Sequence, residues 1–215
     1  MIRVKPVFSL LIKGELKILL NGISKRFNSE VIALGFKNDL NEKTEIPKAQ
    51  IELKIRLSKK SDTTHFVDDN YNLGLVEENI KNLYVATTQD DLPCFRLWLM
   101  DSSQNEKIKR FFTGNFPTLN SNEALIESAF TLPAYRGKRI MPEVTTRLLK
   151  KETSIGIQYA ICFININNTP SLRAYKRCGF KPYTLRQEKW FLFKKRVSFV
   201  DIPNDMLEKY HSLTS

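Results

Sequence analysis

The chain has 215 residues, 42% of them hydrophobic and 27% charged, which is typical of a folded domain with a buried core and excludes a disordered chain. Its three cysteines, Cys94, Cys162 and Cys178, are widely spaced and no pair has metal-ligand spacing, so reduced thiols are expected rather than a disulfide framework. No apolar run approaches the roughly 18 residues that a membrane-spanning helix needs, and no signal peptide is recognisable. We therefore expect a cytoplasmic protein, with a peripheral position at a membrane surface left open.

The formal net charge of +11 is unevenly distributed. Between Thr131 and Val200 the sequence has 15 Lys and Arg residues against three Glu, a local charge of +12, and the rest of the chain nearly balances. Such a basic segment suits an anionic partner, which could be a nucleotide cofactor, nucleic acid or anionic lipid. It is equally typical of a solvated cationic face.

The first half of the chain predicts one helix and several strands. Apolar residues recur at helical intervals over residues 8–27, where basic neighbours allow the helix to pack on the domain, on a second copy in a homodimer, or on an anionic membrane. Residues 30–36 predict a strand, and residues 51–57 alternate as a half-buried strand. Residues 82–100 predict a hairpin that turns at Asp-Asp-Leu-Pro.

The second half is more regular. Residues 124–132 predict a strand that ends before Pro133, and a helix is predicted from Pro142, as its first residue, to about Lys151. Three further elements follow: a strand over 157–166, a short helix closed by Gly179, and one or two strands over 188–200. This alternation predicts an α/β fold with parallel strand pairing at its centre.

The junction LPAYRGKRIMPE, residues 132–143, joins a predicted strand to a predicted helix. Backbone N–H groups at a helix N-terminus favour anions, and Arg136, Lys138 and Arg139 add cationic side chains there. The junction therefore predicts a site for an anion such as a diphosphate. Its alternative interpretation is an ordinary basic turn on the surface.

Two motifs of this half resemble those of the GNAT superfamily of acyl-CoA N-acyltransferases. The first is T-L-P-A-Y-R-G-K-R-I, and the second, further along the chain, is N-T-P-S-L-R-A-Y-K-R-C-G-F. The resemblance is clearest over residues 124–180. It implies a mixed α/β fold with a mostly antiparallel sheet, a central parallel strand pair and flanking helices, plus an N-terminal helical extension. We place that extension, an amphipathic helix plus a strand, at residues 1–45 and the GNAT-like domain at residues 46–215.

The resemblance also implies an activity: direct transfer of an acetyl or similar acyl group from coenzyme A to a primary amine, with acetyl-CoA as cosubstrate and no metal. It implies that Tyr175 protonates the departing thiolate and that Glu127 acts as the base, with Glu123 as the second candidate. Tyr175 could instead be a packing residue and Glu127 a structural carboxylate. The cofactor-binding positions that it implies are Phe130, Thr131, Leu132, Arg136, Gly137, Lys138, Arg139, Ile140, Met141, Asn168 and Ser171.

Two positions depart from the family pattern. Arg139 stands where the family loop usually carries glycine, and Met141 stands at the following Gly or Ala position. The Arg139 guanidinium could contact a phosphate or could obstruct the loop. An alternative hypothesis is therefore a non-catalytic GNAT-like module whose degenerate coenzyme A loop serves binding, for example to nucleic acid. A third is an acyltransferase acting on tRNA or a ribosomal protein. The acceptor itself is open among amino sugars, small amines, and peptide or protein amines.

Overall fold

The computed structural model describes residues 24–42, 44–66, 70–153 and 156–215. An eight-stranded sheet runs through them in the order β2-β3-β4-β5-β6-β1-β7-β8. Among these strands β5 and β6 form the one parallel pair, and all other neighbours are antiparallel. The strands are β1 (Asn28–Asp39), β2 (Lys54–Leu57), β3 (Leu83–Thr87), β4 (Pro93–Asp101), β5 (Glu123–Thr131), β6 (Tyr159–Asn165), β7 (Lys181–Phe191) and β8 (Lys194–Val200).

Helices cover both faces of the sheet. The described helices are α1 (Asn70–Glu77), α2 (Asn105–Phe112), α3 (Ile140–Glu152), α4 (Thr169–Arg177) and α5 (Asn204–Thr214). The last three pack on one face, where Val144, Leu172 and Tyr210 belong to a single buried cluster. The first two pack on the opposite face through a second cluster that contains Leu75 and Ile108. Strands β4, β5, β6 and most of β1 are therefore buried between two helical layers. The edge strand β8 has no buried residue.

Strand β1 lies in the interior of the sheet, as the sixth of its eight strands. It pairs antiparallel with β6 on one side and with β7 on the other, and Ala33, Leu34 and Phe36 are buried in it. The strand predicted over residues 30–36 is thus confirmed, and the segment before residue 46 supplies an interior strand of the shared sheet. The domain boundary at residue 45 stays a prediction. The predicted helix over residues 8–27 lies outside the described residues, apart from residues 24–27, which are helical.

The predicted fold class is confirmed, with a mostly antiparallel sheet, a central parallel pair and flanking helices. The hairpin over residues 82–100 and the strands over residues 124–132 and 157–166 also appear. Strand β2 is shorter than predicted because its pairing with β3 begins only at Lys54. The three cysteines are free and buried, as expected for reduced thiols.

The predicted start of α3 is wrong. The helix begins at Ile140, so Pro142 is its third residue rather than its first, and Arg139 precedes it in a left-handed conformation with φ of 57°. The proline is tolerated there because the N–H groups of the first helical turn have no acceptor within the helix. The end of α4 is as predicted, with Gly179 at a φ of 83° just beyond it.

Gly35 of β1 permits a close approach by two neighbouring side chains. A Cβ at this position would lie 2.7 Å from Cε1 of Phe163 and 2.6 Å from Cγ2 of Thr184. We expect Gly35→Ala to lower the free energy of unfolding by about 1–3 kcal/mol, because overpacking forces both side chains to shift. Urea unfolding measures this loss, and an unchanged midpoint contradicts it.

A matched second variant tests the cause. Thr184→Ser removes Cγ2 but keeps the hydroxyl that donates to the Val200 carbonyl at 3.0 Å. In the Gly35→Ala background it should recover part of the lost stability.

Candidate functional site

The parallel pair β5 and β6 separates after a short contact. Pairing is confined to Glu123–Leu125 of β5 and Tyr159–Ile161 of β6, although β5 continues to Thr131 and β6 to Asn165. A cavity of about 910 Å³ lies where the strands diverge. This volume is in the range of small-molecule and cofactor sites.

A β-bulge in β5 bends the strand at this point. Glu127 lies opposite Trp98 and Phe130 lies opposite Arg96, so β5 has one residue more than β4 between these pairs. Ser128 is the extra residue of the bulge, and its φ is 53°. Its carbonyl accepts a hydrogen bond from Nη1 of Arg96 at 3.4 Å, and Arg96 is only 2% exposed. The buried guanidinium therefore stabilises the bulge that opens the cavity.

The end of β5 directs one backbone amide toward the cavity. Leu132 donates its N–H to the Cys94 carbonyl at 3.0 Å, whereas the Thr131 carbonyl accepts from Nε of Arg136 at 3.2 Å. Because backbone groups alternate in direction along a strand, the N–H of Thr131 points away from β4 and into the gap. Leu132 is the one predicted cofactor residue outside the described cavity lining, and its amide is already bonded within the sheet.

The turn after β5 forms an electropositive mouth. Arg136, Gly137, Lys138 and Arg139 line the cavity there, with Gly137 at a φ of 80° and Arg139 at 57°. The N–H groups of Ile140 and Met141 have no acceptor within α3, because the first in-helix bond runs from Glu143 to Arg139, and both residues line the cavity. Three cationic side chains at a helix N-terminus can bind a diphosphate.

The opposite wall of the cavity is α4. The Asn168 side chain accepts a hydrogen bond from the Ser171 N–H at 3.3 Å and caps the helix. One turn further, Tyr175 is buried and packs edge-to-face on Phe180, with ring centroids 5.1 Å apart. Burial raises the pKa of Tyr175 well above 10. Its hydroxyl therefore stays protonated throughout the neutral pH range.

Glu127 lines the cavity from β5. Burial raises the pKa of its carboxyl from 4.5 to about 7, against the opposing effects of Arg186 and of the Ser128 backbone amide. The same carboxyl contributes to the raised pKa of Tyr175, so the two groups share one electrostatic environment. A carboxyl with a pKa near neutral and a protonated phenol are suited to act as base and acid, respectively.

Glu123, the second candidate for the base, is held in place by an ion pair and by hydrogen bonds. Its carboxylate forms an ion pair with Nζ of Lys37 at 2.8 Å and accepts from the backbone and side-chain amides of Asn120 at 3.0 Å. Although burial opposes ionisation, these contacts leave the pKa of Glu123 below its usual value. An ionised, fully bonded carboxylate of this kind is a poor proton acceptor at neutral pH, so Glu127 is the better candidate.

The cavity also contains residues that the motifs did not indicate. Cys162 and Phe163 line it from β6, and Arg173 and Arg177 line it from α4. The two arginines are four residues apart, so they lie on one helix face, and this spacing was the available signal. Burial raises the pKa of Cys162 well above 9, which keeps its thiol neutral.

The mixed sheet, the diverging parallel strands and the basic turn between β5 and α3 define an acyltransferase fold. The chain belongs to the acetyltransferase (GNAT) domain family, whose sequence profile matches residues 50–181.

Solved structures support the same fold. One is the GCN5-related glucosamine N-acetyltransferase region of a fungal multi-domain β-N-acetylglucosaminidase, with 12% identity and a TM-score of 0.57 over 80% of this chain and 22% of that one. A GNAT acetyltransferase from Colwellia psychrerythraea has 16% identity and a TM-score of 0.51 over 81% of this chain and 57% of that one. A GCN5-related N-acetyltransferase from Sphaerobacter thermophilus has 12% identity and a TM-score of 0.51 over 80% of this chain and 56% of that one.

This chain therefore spans less than two thirds of each of these relatives. No curated protein matches the sequence. Within the described ranges, no helix has the length and apolarity needed to cross a bilayer. In the same part of the chain, no three His, Cys, Asp or Glu side chains are grouped as a metal site would require.

The raised pKa of Glu127 predicts a pH-dependent stability. Ionisation of this carboxyl is disfavoured in the folded state, so its stabilising contribution is complete below pH 4.5 and is lost as the pH rises to about 7. We expect Glu127→Gln to be more stable than the native protein by about 1–3 kcal/mol at pH 8, with little difference at pH 4.5.

Thermal or urea unfolding at the two pH values measures this difference. Glu123→Gln is the matched control and should have the opposite sign at pH 8, because it breaks the ion pair with Lys37. A Glu127→Gln variant that is less stable than the native protein at pH 8 contradicts the raised pKa.

Proposed function

We propose that this protein is an N-acyltransferase that moves an acetyl or similar acyl group from coenzyme A to a primary amine in a direct ternary complex. The observation that carries the proposal is the presence of Glu127, Tyr175 and the basic turn around one cavity. Acid–base catalysis of acyl transfer needs a proton acceptor and a proton donor on either side of the reacting carbonyl. The free, buried cysteines support a cytoplasmic location.

The residues around the cavity fit coenzyme A. Arg136, Lys138 and Arg139, together with the first N–H groups of α3, would hold the pyrophosphate. Thr131 and the start of α4 at Asn168 would line the pantetheine arm. Coenzyme A supplies the acyl group as an activated thioester. Within the set of cofactor positions predicted from the sequence, Leu132 has the weakest support because its amide is bonded to Cys94.

Two protein side chains would each transfer one proton. Glu127 takes a proton from the acceptor ammonium, directly or through one water, and its pKa of about 7 leaves much of the carboxyl ionised at neutral pH. Tyr175 gives a proton to the departing thiolate and is kept protonated until then by burial. The N–H of Thr131 would polarise the carbonyl. Contacts with a second copy, nucleic acid or a membrane surface stay predictions.

The acid role predicts a specific kinetic defect. We expect Tyr175→Phe to lower turnover about 10²-fold or more with little change in acetyl-CoA affinity, because only the hydroxyl is lost. Steady-state kinetics and calorimetry measure the two quantities. Tyr210→Phe is the matched control, since Tyr210 is also buried but packs on Phe36 away from the cavity. Unchanged turnover in Tyr175→Phe would exclude the acid role.

Arg139 provides the test of cofactor binding. We expect acetyl-CoA to bind at micromolar concentration in calorimetry and Arg139→Gly to weaken it about 10-fold, because a charge-assisted contact is lost. The same variant should keep or gain stability, since glycine adopts the left-handed conformation at φ of 57° without cost. Arg139→Lys should bind with intermediate affinity.

Tighter binding by Arg139→Gly would mean that the arginine obstructs the loop. No binding to the native protein up to millimolar acetyl-CoA would favour the non-catalytic binding module.

A further inference from the structure

The cavity has an aromatic wall next to Glu127. Glu127 pairs with Trp98, so both side chains lie on the same face of the sheet. Phe130, which pairs with Arg96, lies on this face too. Phe163 follows Ile161 by two residues on β6 and shares the face, which is the one covered by α1 and α2. Phe130 and Phe163 both line the cavity. The proton acceptor is thus flanked by two phenyl rings on the side away from α3 and α4.

The Phe163 ring is held in place by further aromatic side chains. Phe116 packs on it with centroids 5.6 Å apart, and Phe199 does the same from β8 at 5.6 Å. The Arg186 guanidinium lies 5.2 Å from the Phe163 ring and 5.3 Å from the Phe116 ring. Gly35 lets the ring lie close to β1. This wall is therefore preorganised, which favours binding of a flat or bulky apolar group.

The charges around the cavity restrict the number of amino groups that an acceptor can carry. Of the described residues that line it, Glu127 is the one acidic residue, whereas five are cationic: Arg136, Lys138, Arg139, Arg173 and Arg177. A single ammonium can be received by Glu127. A second cation on the acceptor would have no lining carboxylate to receive it.

We propose that the acceptor is a small monoamine that carries an aromatic or similarly bulky apolar group, entering from the α1 and α2 face with its nitrogen at Glu127 and its apolar group against Phe130 and Phe163. The proposal rests on the N-acyltransferase function above and names its acceptor class. It excludes polyamines and small hydrophilic amines as good acceptors.

The test compares acceptors that differ in one property. With saturating acetyl-CoA, product formation is followed by mass spectrometry for 2-phenylethylamine, ethylamine, glucosamine and spermidine. We expect kcat/KM for 2-phenylethylamine to exceed that for ethylamine at least 10-fold, because a phenyl group buries far more apolar area than a methyl group. Spermidine and glucosamine should fall below 2-phenylethylamine by a similar factor.

Variants then locate the preference. Phe163→Leu should lower the ratio of kcat/KM for 2-phenylethylamine over ethylamine several-fold, while acetyl-CoA affinity stays unchanged. Phe130→Leu should lower the same ratio several-fold. Phe191→Leu is the matched control, because Phe191 is 64% exposed at the tip of the β7–β8 hairpin. Its ratio should equal that of the native protein.

The outcomes separate this inference from the function on which it rests. Acetyl transfer with no preference for 2-phenylethylamine, or with spermidine as the best acceptor, overturns the inference and leaves the N-acyltransferase function intact. Preference for 2-phenylethylamine that survives both leucine substitutions also overturns it. Acetyl-CoA binding without transfer to any of the four amines overturns the inference, whereas absence of acetyl-CoA binding overturns the function on which it rests.

Discussion

The early separation of β5 from β6 is the constraint on which the site depends. Three residues of each strand pair, and then the bulge at Ser128 turns β5 away. Separated strands leave backbone groups without a ladder partner, which is tolerable only where a ligand or side chain can meet them. The buried guanidinium of Arg96 offsets part of this cost by bonding the bulge carbonyl. The cavity follows from this separation of β5 from β6. The position of Glu127 in the cavity wall and the inward direction of the Thr131 N–H follow from it as well.

Much of the fold was predictable because its strands and two of its helices have local patterns. The hairpin β3–β4 and the strands on either side of α3 alternate or form apolar runs, so their formation needs little information from the rest of the chain. Helix α5 was missed although its sequence has a helical signal, since Met206, Tyr210 and Leu213 recur at helical intervals and pack against the core. The start of α3 was misplaced because a left-handed Arg139 is unusual and the proline suggested a different first residue.

Site residues were predictable where a sequence motif fixes their position. They were not predictable where their contacts depend on the tertiary fold. Tyr175 and the basic turn were found from their order in the chain, and the structure brings them to one cavity. The bonding of the Leu132 amide depends on the register of β4. The aromatic wall depends on Phe163 of β6 and Phe199 of β8, whose rings meet although β1 and β7 lie between their strands. Such placements arise from pairing between distant strands, for which a single sequence has no local signal.

The interior position of β1 has a consequence for how the chain acquires its structure. Its partner strands begin at Tyr159 and Lys181, and registers such as Phe36 with Cys162 and Asn28 with Phe191 join residues more than a hundred positions apart. Contacts of such sequence separation slow folding, because a long loop must close before any pairing energy is gained. During synthesis β1 emerges well before either neighbour, so both its edges stay open until the last third of the chain is made. The sheet can form completely only late, and β1, an interior strand, is made first among the described strands and waits longest for its partners.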